Sequence, residues 1–64
     1  MKTTLELVKK LNMDCKALLK DHMLDDAAEI SNMIIKAHKK GLVEEDAWQY
    51  FNDCIEGKNE SYFI

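Results

Sequence analysis

The chain is 64 residues long, 47% hydrophobic and 33% charged, with a formal charge of −3 at neutral pH. That length allows one domain with a core supplying only about 3–5 kcal/mol, and chains of this size often gain stability from a disulfide, a metal or a second subunit. No stretch approaches the ~18 apolar residues of a membrane span, and Met1-Lys2-Thr3-Thr4 leads into a mixed charged and apolar pattern, not a signal-peptide run. A cytosolic protein without membrane association is therefore expected, with Cys15 and Cys54 as reduced thiols.

The charge is unevenly spread. Residues 1–24 carry +2, residues 25–35 carry −3, residues 36–41 carry +3 and residues 42–64 carry −5. All nine basic residues are lysine, and there is no arginine and no proline. Such lysine bias points to an AT-rich gene, as in many phages and mobile elements.

A first helix is predicted over residues 3–23. Thr3 and Glu6 have the spacing of a capping box. At about 100° per residue, Leu5, Val8, Leu11, Cys15, Leu18, Leu19 and His22 share one face, with Lys2, Lys9, Lys16 and Lys20 opposite and Met13 among the lysines. Leu24-Asp25 reads as a very short connection, with Asp25 or Asp26 as the next cap and Glu29 completing a second capping box. So short a link predicts an antiparallel helical hairpin.

The second helix is predicted over residues 25–40, with Ala27, Ile30, Ile34, Ala37 and His38 as its central stripe and Met33 and Ile35 on the flanks. That arc is wider than the ~100° needed to meet one neighbour, so this helix is expected to touch more than one partner, and the chain to form a homodimer or higher assembly. Lys39-Lys40-Gly41-Leu42 is a helix stop: bases in the last turn, then glycine where a left-handed residue is wanted, then an apolar residue.

The third helix is predicted over residues 43–57, opening on Glu44, Glu45 and Asp46 where the macrodipole favours acids and ending at Gly57. Its inner face is Val43, Ala47, Tyr50, Phe51 and Cys54, with Trp48 and Ile55 at one edge. Glu45, Gln49, Asn52, Asp53 and Glu56 form the outer face. The tail, residues 58–64, ends in Tyr62-Phe63-Ile64, which either folds back or docks on another molecule. The fold class is all-α: three short helices, an antiparallel helical hairpin plus a third helix, in one small bundle.

Cys15, His22, His38 and Cys54 are the residues that could hold a soft metal. Their separations lack the paired spacing of zinc motifs, so no metal or cofactor is expected, and the cytosolic setting argues against a disulfide between Cys15 and Cys54. Cys15 and His22 lie two turns apart, about 10 Å along a helix, too far for a nucleophile and its base. With little room for a pocket of about 300–1,000 Å³, the chain is read as non-enzymatic.

Asn59-Glu60-Ser61 fits a glycosylation sequon, which has no meaning without a secretory signal. Lys2, Lys9, Lys10, Lys16 and Lys20 could meet phosphates, but a solvated face is the simpler reading, since arginine and interleaved aromatics are lacking. Every aromatic lies in the last seventeen residues. Trp48, Tyr62 and Phe63 are hard to bury in so small a monomer, and half-exposed aromatics are typical interface anchors.

The candidate partner-binding residues are thus Trp48, Ile55, Tyr62, Phe63 and Ile64, with Met33 and Ile35 from the second helix and Glu45, Asp53 and Glu56 as an acidic border for a basic partner. The expected function is a small protein-binding protein, an accessory regulator or inhibitor from a phage or mobile element acting on a host protein. The alternative is a dimeric helical nucleic-acid-binding regulator using the lysine face of helix one.

Overall fold

A computed structural model describes all 64 residues and contains three helices: α1, Leu5–Lys20; α2, Leu24–Lys39; and α3, Glu45–Ile55. The all-α small bundle expected from the sequence is the architecture observed. α1 and α3 are shorter than the predicted helices and α2 is shifted by one residue, and the ends show why.

The cap of α1 is Thr4, whose hydroxyl accepts from the Leu7 amide at 3.2 Å. The predicted cap, Thr3, is engaged elsewhere. Its amide donates to Leu42 O at 2.6 Å, and its carbonyl accepts from the Glu44 amide at 2.9 Å, forming a single parallel bridge with Val43. Thr3 is held extended by this pairing, and the helix starts from the next hydroxyl.

All three helices end in one motif, in which the residue past the cap turns left-handed and two amides close back onto the last turn. In α2, Gly41 has φ 72°, and the Gly41 and Leu42 amides donate to His38 O and Ala37 O. In α3, Gly57 has φ 82°, with Gly57 and Lys58 bonding Cys54 O and Asp53 O. Both glycine stops were legible in the sequence. In α1 the left-handed residue is His22, at φ 60°, with His22 and Met23 bonding Leu19 O and Leu18 O. This helix therefore ends at Lys20, not near Met23. His22 is exposed in the turn, not on the buried face.

Because Met23 closes α1 and immediately opens α2 as its N-cap, Asp25 and Asp26 fall inside the first turn. Neither makes the predicted capping box; α2 has no side-chain cap. The acids there complement the macrodipole instead.

α1 is the centre of the molecule, packing against α2 on one side and α3 on the other, while α2 and α3 touch each other little. The expected second partner of α2 is therefore met only at its end, where His38 reaches Trp48. The core is Val8 and Cys15 of α1, Ala27 and Ile34 of α2, Ala47, Phe51 and Cys54 of α3, plus Val43 and Phe63. Small residues at the α1–α2 crossing let the helices approach, and the Cys15 thiol donates to Ala27 O at 3.8 Å.

The tail covers the part of α1 that the shorter α3 leaves open. Asn12, 3% exposed, fastens it. Its Nδ2 donates to Glu60 O at 3.0 Å and its Oδ1 accepts from the Tyr62 amide at 2.8 Å. Phe63 then enters the core edge-to-face on Phe51, ring centroids 4.9 Å apart. No helix is long and apolar enough to cross a membrane.

Candidate functional site

The best-formed surface feature grows from a chain of rings. His38, in the last turn of α2, lies flat on Trp48, in the first turn of α3, with centroids 3.6 Å apart and planes 6° from parallel. Trp48 stacks on Phe51 at 5.5 Å, and Phe51 meets Phe63. These contacts lock the start of α3 to the end of α2 and bring the tail into the same apolar body. Ile55 lies two turns beyond Trp48 on the same side of α3, and it is 54% exposed. Ile64 follows the anchored Phe63 and is 53% exposed. Ile55 and Ile64 are thus water-facing apolar groups attached to the interior, and Trp48 is half-buried against the core.

The acidic border is only partly free. Glu45 is exposed on the outer side of α3. Glu56 is exposed but pairs with Lys58 at 3.1 Å, a contact of little energetic weight at the surface. Asp53 is half-buried and accepts from Gln49 Nε2 at 3.0 Å. A concavity of about 690 Å³ beside this helix is lined by Lys2, Glu44, Glu45, Asp46 and Gln49.

The other sequence candidates divide. Phe63 belongs to the core at 8% exposure, so it is an anchor of the fold and not a free docking group. Tyr62 is half-buried, with its hydroxyl bound to the Glu60 carboxylate. That bond is the main reason its phenol titrates above the usual value. Met33 and Ile35 are exposed on α2, separate from the edge of α3.

The four possible soft-metal ligands do not converge, and no three histidine, cysteine, aspartate or glutamate side chains gather as a metal site would require. Cys15 and Cys54 are buried free thiols, not a disulfide. Burial pushes both up from the ordinary thiol value, Asp14 adding to the effect at Cys15 and Asp53 at Cys54. This is opposite to the lowering that activates a thiol nucleophile.

One arrangement escaped the sequence reading. Lys9 Nζ stands 5.9 Å from the centre of the Tyr50 ring, and Lys16 Nζ 5.3 Å from that of Tyr62. Two lysines of α1 therefore do have aromatic neighbours, supplied by α3 and the tail. The signal was not readable locally, because the partners are about forty residues apart in the chain. No family model, curated protein or solved structure matches this chain.

Proposed function

We propose that this is a small non-enzymatic binding protein that docks on a larger protein through the outer edge of α3. The observation that carries it is the row of half-buried Trp48 and exposed Ile55 on one side of α3, with exposed Ile64 on the tail, fixed to the core through Phe51 and Phe63. Rigid aromatic and aliphatic anchors lose little conformational freedom on binding, which is what concentrates energy at a few interface residues. Glu45 and Glu56 flank the row and favour a basic rim on the partner. In this role the protein is a stoichiometric regulator or inhibitor in the cytosol, consistent with a compact accessory gene product of a phage or mobile element. Immobilised protein exposed to lysate of its native cells should retain a partner that survives nuclease and high salt. Ile55→Asp should lose that partner while keeping its helical spectrum. Equal retention by both proteins would refute the assignment.

A second reading is favoured by the lysine–tyrosine pairs. Lys9, Lys16 and Lys20 lie along one side of α1, with Tyr50 and Tyr62 beside two of them, the combination of charge and stacking surface that single-stranded nucleic acid uses. Binding through it would weaken steeply with log salt, and Lys9→Gln with Lys16→Gln would abolish it.

A further inference from the structure

We propose that the outward face of α2 pairs with the same face of a second copy, antiparallel, about a twofold axis at Asn32. This goes beyond docking at α3 and uses a different surface. Asp25, Ala28, Asn32, Ile35 and Lys39 recur at alternating spacings of three and four residues, the spacing of a helix–helix seam. Ala28 is half-buried and the other four are exposed, so the seam has no partner within the chain. A trough of about 400 Å³ lies along this face, lined by Asp25, Ala28, Glu29, Asn32, Met33 and Lys36. The short side chains of Ala28 and Asn32 leave space there for a neighbour's larger ones.

Charge selects the occupant and its direction. Residues 25–35 carry −3 and residues 36–41 carry +3. Asp25, Glu29, Lys36 and Lys39 form no ion pair inside the chain, where Lys58–Glu56 is the sole pair. Parallel copies would set acid on acid and lysine on lysine. Antiparallel copies set Asp25 against Lys39 of the second copy, and the reverse.

The register is self-consistent. Asp25 and Lys39 each lie seven residues from Asn32, so a twofold axis there makes every contact reciprocal. Asn32 meets Asn32, each amide offering both a donor and an acceptor. Polar asparagine in a seam fixes register at some cost in stability. Ala28 and Lys36, each four residues from the axis, face one another, and the lysine stem can lie over the methyl. Met33 and Leu24, both exposed in the monomer, border the seam.

Sedimentation from about 1 µM to 1 mM tests the pairing across the affinity range expected of a small interface. Wild type should convert from 7.4 kDa to twice that mass. The Lys36→Glu/Lys39→Glu protein should remain monomeric, as should the Asp25→Lys/Glu29→Lys protein. All four side chains are exposed, and circular dichroism checks that each variant is folded. An equimolar mixture of the two variants should dimerise again, because each then meets the opposite charge. A wild type monomeric at the highest concentration overturns the proposal and leaves this face to a different chain. Variants that dimerise alone, or a mixture that stays monomeric, overturn it equally.

Discussion

The imidazole of His38 lies on the indole of Trp48 at 3.6 Å between centroids, joining two helices that otherwise barely touch. The stack bridges the Gly41 turn and orients α3 against α2. An aromatic pair of this kind contributes about 0.5–1.5 kcal/mol beyond its burial. His38→Ala should lower stability by about that amount. Trp48 is the one tryptophan, so its emission should shift to the red as the indole gains water. Unchanged emission would show that the stack does not hold in solution.

His22 occupies at φ 60° the position that Gly41 and Gly57 fill in the other two helices. A side chain there costs about 1–2 kcal/mol of backbone strain. His22→Gly should therefore raise the midpoint of thermal unfolding, and Gly41→Val should lower it. Nothing lies within 4 Å of the Cβ that would be added at Gly41, so backbone strain at its left-handed φ is the expected source of the loss, about 1 kcal/mol or more. Equal midpoints for wild type and both variants would contradict the shared stop.

Helix number, the glycine stops and the inner face of α3 were readable because each rests on local periodicity or local turn chemistry. The departures are tertiary. Thr3 gave up its cap because its backbone pairs with the loop beside Val43. Asn12 looked like a polar interruption of an apolar stripe, and its partners, Glu60 and Tyr62, lie about fifty residues away. Of the candidate surface, Trp48, Ile55 and Ile64 followed from the edge of a helical stripe and an apolar terminus. Phe63 could not be assigned to core or surface until the tail had a latch.

That latch is testable. Asn12→Leu leaves the Tyr62 amide without its partner and the Glu60 carbonyl with only the Cys54 thiol, costing about 1–3 kcal/mol. The tail should loosen before the helices do, so trypsin should cut after the exposed Lys58 much faster in the variant. Identical cleavage rates would mean that the aromatic contact alone holds the tail.

Ser31 is 4% exposed and its hydroxyl has no hydrogen-bond partner. Removing a buried group that makes no bond removes a desolvation cost. Ser31→Ala should leave stability unchanged or raise it by up to about 1 kcal/mol. A clear loss on urea unfolding would reveal a bond that the hydroxyl makes in solution.

Burial raises the thiols of Cys15 and Cys54 and the phenol of Tyr50 above their ordinary values, 9.0 for a thiol and 10.0 for a phenol. Above those values the unfolded chain releases protons that the folded chain still holds. Stability is then complete below about pH 9 and falls as pH rises further. Replacing both cysteines with alanine should flatten the first part of that fall, at a packing cost on the order of 1 kcal/mol per site. An alkaline profile identical in the two proteins would assign the fall to other groups.

The most direct test of the docking edge is a photo-crosslinking residue placed at Ile55 in the native cell, with a second placed at the exposed Ala17 of α1 as control. A discrete adduct of higher mass from position 55, with none from position 17, is the expected result. Adducts from both positions alike, or from position 17 alone, would contradict docking through α3.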